Sequence, residues 1–458
     1  CEFGRVLKCA KIITLTLIIK GDYLMIKKSK LLSAFAIATA SFIAAPSYAD
    51  TMNTPDISAM SVMNGLENPW DMAFTNGGDM FVTEKCKGLS VKTSSGSVHA
   101  LAGMKGSKGY ASTFNDLFCS GQAGMMGVAL DPNFNKNRRI YVASTSDKYH
   151  GSGCKTNFEK CDGNIIMRME VSKDMKSVSN RVDIVKDIQY KPFESDHPFG
   201  GPGAHNGNRL RFGPEGYLWA TTGDRHRGVV PQSPKLLGGN VLRIDTDGKA
   251  HPGNKPPRGF DKRMYTYGHR NVQGIDFRPS DGRAFTAEHG PWQNDEITAL
   301  VNGGNGGWDP RPNVGGRGDC PDKYCGYMPN QKEGMLPAKR AQFMPMSDTR
   351  FSDLMPPAWN NNGLSQGTGS AAFLKGKNWG YWEGRMAVGI MGIGFGGTPS
   401  GMRIDVVDIA KDGQSIKSVI HMPTGLTKRF RGLRLGPDNA LYAAVDEGEI
   451  YKITATAK

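Results

Sequence analysis

The sequence contains no Cys-x-x-Cys, no Cys-x-x-Cys-His and no run of Lys and Arg interleaved with aromatics. The first absence removes the usual cysteine spacing of a zinc site, and the second removes covalently attached haem. The third means that a nucleic-acid partner is not expected. Aromatic residues are sparse at 9%, while 59 glycines and 26 prolines are spread over 458 residues. That balance suits many short strands and turns better than long helices, and it points to an all-β chain.

No apolar run is long enough to span a bilayer comfortably. The longest, Leu31 to Ala45, follows the basic segment Met25-Ile26-Lys27-Lys28-Ser29-Lys30 and precedes Ser47-Tyr48-Ala49, a small-x-small cleavage pattern. Residues 25–49 therefore read as a signal peptide, with the mature chain starting near Asp50 and exported to the periplasm or beyond. An uncleaved anchor is the alternative, disfavoured by a short, alanine-rich run; no stable membrane insertion is expected after cleavage. Residues 1–24 read as upstream sequence, leaving 50–458 as one domain. The formal charge of +14 shrinks to about +9 without the first 49 residues, which hold seven Lys/Arg against two acids.

Export changes the meaning of the cysteines. Cys86, Cys119, Cys154, Cys161, Cys320 and Cys325 form an even set in an oxidising compartment, so three disulfides are expected. The close pairs Cys154/Cys161 and Cys320/Cys325 would close small loops and leave Cys86 for Cys119, although spacing alone leaves other connectivities open.

What the chain does have is a repeat. Leu210-Arg211-Phe212-Gly213-Pro214-Glu215-Gly216-Tyr217-Leu218-Trp219 and Leu433-Arg434-Leu435-Gly436-Pro437-Asp438-Asn439-Ala440-Leu441-Tyr442 each read as strand, turn, strand. Looser copies start at Trp70, Met126, Ile275 and Ala371, with turns at Asn76–Gly78, Asp131–Asn133, Pro279–Gly282 and Lys375–Lys377. Six such hairpins, each completed by further strands such as Asn240 to Asp245, predict a six-bladed β-propeller. A β-sandwich is the rival, but the strands are too numerous for one.

Six motifs in order then resemble the glucose/sorbosone dehydrogenase family of soluble quinoproteins: Leu66 to Phe74, Gly121 to Ala129, Ala204-His205-Asn206-Gly207-Asn208-Arg209-Leu210, Tyr267 to Gly274, Glu288-His289-Gly290-Pro291 with Asp295-Glu296, and Arg429-Phe430-Arg431. The resemblance runs from about Leu66 to Ile453. It implies a propeller that holds pyrroloquinoline quinone and Ca²⁺ over its central axis and oxidises an aldose sugar, or a related alcohol or aldehyde, to a lactone or acid. Electrons would pass to an external acceptor.

By the same resemblance His205 is the catalytic base. Hydride abstraction from a hydroxyl-bearing carbon needs a neutral base beside the quinone, and His205 stands on a loop directly before a hairpin. Gln122, Arg270, Asn271, Arg429 and Arg431 are the implied cofactor contacts; guanidinium groups suit a tricarboxylate because they bind carboxylates bidentately. Strand alternation sets Arg429 and Arg431 on one side and Phe430 on the other. Gly290 and Pro291 are the implied calcium ligands through their carbonyls. Asp295 and Glu296 position that loop, bind a second Ca²⁺, or are simply solvated acids.

One departure stands out. The family carries a lysine on blade five, and Val388 to Gly397 has none. Arg225, His226 and Arg227 are the candidates to replace it. Two other functions stay in view: a non-catalytic binding propeller, and a calcium-dependent propeller lactonase, for which the arginines have no obvious use. The loops around Asp309 to Pro345 carry no readable chemistry, so the substrate is not specified.

Overall fold

The computed structural model describes residues 54–154, 161–191, 202–291, 293–311, 344–392 and 401–458. The signal segment 25–49, the upstream residues 1–24, Cys320, Cys325 and residues 393–397 lie outside them.

Strand β1 (Asp56–Met63) precedes blade one, which comprises β2 (Pro69–Phe74), β3 (Met80–Glu84), β4 (Gly88–Lys92), β5 (Val98–Met104) and β6 (Ser112–Phe114). Blade two holds β7 (Val128–Leu130), β8 (Arg139–Thr145), β9 (Asp162–Val171) and β10 (Val178–Gln189). Blade three holds β11 (Gly207–Phe212), β12 (Leu218–Thr222), β13 (Val241–Ile244) and β14 (Met264–Thr266). Blade four holds β15 (Val272–Phe277), β16 (Ala284–Glu288), β17 (Glu296–Ala299) and β18 (Trp359–Asn360). Blade five holds β19 (Thr368–Phe373), β20 (Met386–Ile390), β21 (Arg403–Ile409) and β22 (Ile416–His421). Blade six holds β23 (Phe430–Leu435), β24 (Leu441–Val445) and β25 (Glu449–Thr456).

These sheets make the expected six-bladed β-propeller. Its closure was not legible beforehand: β1 pairs antiparallel with β25, so the first strand of the chain becomes the outer strand of the last blade. Two of the predicted tight turns are longer than expected. A helical turn, Phe134–Asn137, separates β7 from β8, and a 3-10 segment, Lys377–Trp382, separates β19 from β20. Trp379 and Trp382 explain the second, because both are buried in the core between blades five and six.

Burial follows the blade geometry. β3 is buried along its whole length, since each face of a middle strand meets a neighbouring blade, whereas β1 alternates between half-buried and exposed. The cores lie between blades: Phe81, Leu101, Val142 and Met167 join blades one and two, and Leu433, Val406 and Trp379 join six and five. Each such side chain contributes about 1.5–3 kcal/mol through removal from water.

The inner strands are tied by a charged group on the axis. Arg209, fully buried in β11, donates to the carbonyls of Gln273 (2.9 Å), Trp70 (3.2 Å), Arg431 (2.9 Å) and Gly369 (3.5 Å), which belong to blades four, one, six and five. Asp71 pairs with Arg209 at 2.8 Å and with Arg211 at 2.8 Å. Burial pushes the Asp71 carboxyl up, but the two guanidinium groups outweigh it and hold it below its ordinary range. Blade two closes onto the same axis at Gly127, where a Cβ would stand 2.1 Å from the Asn208 carbonyl.

The expected disulfides Cys86–Cys119 and Cys154–Cys161 are present, with Cα–Cα distances of 5.1 and 4.7 Å. The third expected pair falls outside the described residues.

Candidate active site

Antiparallel pairing places functional segments on one face. The start of each inner strand lies beside the end of its hairpin partner: Pro69 opposite Glu84, Gly207 opposite Thr222, Val272 opposite Glu288, Thr368 opposite Ile390 and Phe430 opposite Val445. Residues just before the inner strands and just after their partners therefore share the mouth of the central axis. His205, Arg270, Asn271, His289, Arg429 and Asp446 all occupy such positions.

His205 is buried and adopts a left-handed backbone (φ 53°), as do Arg225 and His226 facing it. Side chains with a Cβ hold that conformation only where the surroundings enforce it. The enforcement is visible. His205 Nδ1 lies 2.6 Å from Asp224 Oδ1, the His226 amide donates to the same oxygen at 2.9 Å, and Trp308 Nε1 donates to Oδ2 at 2.6 Å. A carboxylate at Nδ1 fixes the tautomer that leaves Nε2 as the basic nitrogen. His226 Nε2 stands 2.6 Å from that nitrogen.

Two predicted cofactor contacts brace this loop. Gln122 Oε1 accepts from the His205 amide at 3.3 Å, and Asn271 Oδ1 accepts from the Gly207 amide at 3.1 Å. Asn271 and Arg270 are themselves held by Glu288, whose Oε1 accepts both their amides while Oε2 lies 3.0 Å from His269 Nδ1. Glu288 had been only a letter in a motif; its role depends on the pairing of β15 with β16.

The arginines converge as the alternation predicts. Phe430 is buried in the core, while Arg429 and Arg431 both bind Asp446, Arg431 through Nε and Nη2 at 2.8 Å each. Arg429 Nη1 also donates to the carbonyls of Met391 (2.8 Å) and Gly392 (2.9 Å), on the blade that lacks the family lysine. Arg270 donates to the His289 carbonyl at 2.7 Å, but its buried Nε has no partner among the described residues. Burial, assisted by the fields of Arg270, Arg431 and Arg429 and opposed by Asp295, lowers the His289 pKa to about 4. Burial is the main cause, and the three guanidinium groups add to it.

The acids of the Gly290–Pro291 loop are not solvated; both are buried. Asp295 accepts from the Gly290 amide (2.9 Å), Ser365 Oγ (2.5 Å), the Gln366 and Thr368 amides (3.0 Å each) and Thr368 Oγ1 (2.8 Å). Five donors occupy its oxygens, so it clamps the loop to blade five. Glu296 meets Ser347 instead, and burial beside Glu288 raises its pKa well above the ordinary value. Both acids are therefore engaged inside the protein, Asp295 in positioning the loop and Glu296 with Ser347. Among the described residues, no three His, Cys, Asp or Glu side chains gather around a common point.

Arg225, a sequence candidate for the lysine's place, is engaged inside the fold. Its guanidinium is fully buried and holds the carbonyls of Gln189 and His205 and the Asn206 side chain. Burial lowers its pKa to about 9 against the pull of Asp224. It fixes the His205 loop through these buried hydrogen bonds.

A propeller with a carboxylate-oriented histidine and a cationic mouth defines a class of axial-site β-propeller, and comparison gives the family. Residues 66–452 match the Glucose / Sorbosone dehydrogenase family, and the chain belongs to it. Quinoprotein glucose dehydrogenase B of Acinetobacter calcoaceticus is 29% identical over 66% of this chain and 63% of its own length, so the match spans just under two thirds of that relative. Aldose sugar dehydrogenase YliI of Escherichia coli is 24% identical over 85% of this chain and 90% of its own. The PQQ-bound form of aldose sugar dehydrogenase from Streptomyces coelicolor shares the fold, with a TM-score of 0.61 at 22% identity over 88% of this chain and 99% of that one.

Proposed function

We propose that the protein is an exported quinoprotein dehydrogenase that binds pyrroloquinoline quinone and Ca²⁺, oxidises an aldose sugar or related alcohol to a lactone or acid, and passes electrons to an external acceptor. The observation that carries this is the buried Nε of Arg270, which has no partner among the described residues, with Arg429 and Arg431 acting on the same His289 and a tautomer-locked His205 on the adjacent blade. An excess of guanidinium over carboxylate fits a polyanionic planar ligand.

When bound, the quinone would supply a hydride-accepting carbonyl and the metal a Lewis acid. The chain's own groups do the rest. Gly290 and Pro291 would offer backbone oxygens to the metal, on a loop that Asp295 keeps from shifting. Arg270, Arg429 and Arg431 would take the carboxylates. His205 Nε2 would accept the hydroxyl proton of the substrate, with Asp224 stabilising the imidazolium that results. His226 now faces that nitrogen, so a substrate hydroxyl has to take its place.

The test is to titrate the purified protein with pyrroloquinoline quinone and Ca²⁺, follow the quinone absorbance, and assay dye reduction over a sugar and alcohol panel. Saturable binding with turnover is expected; absence of binding removes the dehydrogenase reading. A binding propeller without turnover is the second reading, favoured by the uncharged Met391-Gly392 at blade five. Binding without dye reduction across the panel would select it.

A further inference from the structure

Resting on the quinoprotein reading, we propose that Lys85 of blade one is a cofactor-binding residue that supplies the cation missing from blade five. Lys85, His289, Met391 and Asp446 are each the first residue after the second strand of their blade, β3, β16, β20 and β24. The register that sets His289 and Asp446 at the mouth sets Lys85 there as well. In blade five the equivalent residue is the apolar Met391.

The side chain reaches into the site. Lys85 Nζ donates to the Gly121 carbonyl at 2.8 Å, one residue before Gln122, whose own side chain holds the His205 amide. Its backbone carbonyl and stem pack on Gly124, where a Cβ would clash with the Lys85 oxygen and stand 2.8 Å from Cγ, so that position favours glycine. The backbone of Lys85 is pinned by the Asn68 carbonyl and the Met125 amide, and Cys86–Cys119 ties the same turn to the Gln122 segment.

Its electrostatic neighbours are those of the cradle. Burial and the field of Arg431 lower the Lys85 pKa, while Asp446 and Glu67 raise it. Asp446 is already committed to Arg429 and Arg431. No carboxylate forms an ion pair with Lys85 among the described residues, whereas the adjacent Lys87 pairs with Glu67 and Glu84. A half-buried ammonium beside a guanidinium, with one neutral acceptor, is stabilised by an added anion. A polycarboxylate spanning from Arg270 to Lys85 meets that need.

The experiment measures cofactor affinity rather than turnover. Apo-protein is titrated with pyrroloquinoline quinone at fixed Ca²⁺, read by quenching of tryptophan fluorescence, for the parent and for Lys85→Gln, Lys85→Arg and Arg431→Met. Lys85→Gln keeps a donor for Gly121 but removes the charge; its Kd should rise about tenfold or more, as for loss of one charge-assisted hydrogen bond. Lys85→Arg should stay within about threefold of the parent on the same grounds.

A Lys85→Gln affinity within twofold of the parent, with Arg431→Met clearly weakened, overturns the assignment and leaves the quinoprotein reading intact. A parent that does not bind overturns both. A second measurement needs no variant: the acetylation rates of Lys85 and Lys87 by an amine-reactive ester are followed by mass spectrometry with and without saturating cofactor. Protection of Lys85 alone is expected, and equal rates with and without cofactor refute the contact.

Discussion

Two arginine clusters share the propeller axis and do opposite work. In the inner cluster, Arg209 and Arg211 send their donors to carbonyls of other blades and to Asp71, and all three residues are buried. At the mouth, Arg429 and Arg431 share one carboxylate, and Arg270 keeps a buried nitrogen without a partner among the described residues. The inner arginines complete the fold; the outer ones leave positive charge in surplus. The lesson is that arginine content does not separate structure from binding. What separates them is that Arg209 spends its donors on carbonyls of four other blades, whereas Arg270 retains a donor without a partner among the described residues.

The largest effect expected is chemical. His205→Ala should leave cofactor binding intact and lower kcat by about 10²–10⁴, the usual range for a general base. A rate within a few-fold of the parent would remove His205 from the chemistry.

Next come the two clusters themselves. Asp71→Asn strands two buried guanidinium groups and should destabilise the fold by about 3–5 kcal/mol. Denaturant unfolding gives the value, and a loss under 1 kcal/mol would mean the axis is not held by charge. The same pair sets an acid limit. Because the folded Asp71 carboxyl titrates below its ordinary 3.8, its contribution is present above that value and disappears as pH falls through the folded pKa. Asp71→Asn should flatten that part of the acid unfolding curve.

Arg270→Met and Arg431→Met should do the reverse of Asp71→Asn. Each should weaken cofactor binding about ten- to a hundredfold, with a smaller fall in Tm than Asp71→Asn causes, since Asp446 keeps Arg429 and the His289 carbonyl loses a single donor. A large fall in Tm with unchanged affinity would make the mouth a second structural cluster.

The smallest effect concerns Glu296. Burial and the neighbouring Glu288 raise its folded pKa, so its contribution to stability is greatest at low pH and declines as pH rises from the unfolded toward the folded value. Glu296→Gln should remove that decline, seen as a melting temperature that varies less between pH 5 and 8 than the parent's (~3 pH units spanning the ordinary range of maximal stability). A steeper dependence in the variant would contradict the assignment.

Much of this was readable beforehand because it is local. A hairpin such as Leu210 to Trp219 is specified by its own turn and alternation, and Arg429-Phe430-Arg431 sorts its side chains by strand period alone. His205 stood out by its loop and by family resemblance. Asp224, nineteen positions later, was missed as its partner because nothing in the spacing shows that Gly207 pairs with Thr222. Glu288 and Lys85 were missed for the same reason. Arg225, a candidate for the lysine's place, is fully buried, with Nε and Nη1 donating to the Gln189 and His205 carbonyls and the Asn206 side chain.

By itself, then, the sequence determined the six hairpins, an even cysteine set suited to disulfides and the cations available for an anionic ligand, all features encoded within a few residues, by composition or by family motif. The tertiary structure alone decided that β1 closes blade six, that Arg209 rather than Arg270 belongs to the axis, and that Lys85 stands at the mouth. Those outcomes depend on contacts between residues tens to hundreds of positions apart. Only ring closure brings carbonyls of four other blades within reach of Arg209 and leaves Arg270 Nε without a partner among the described residues.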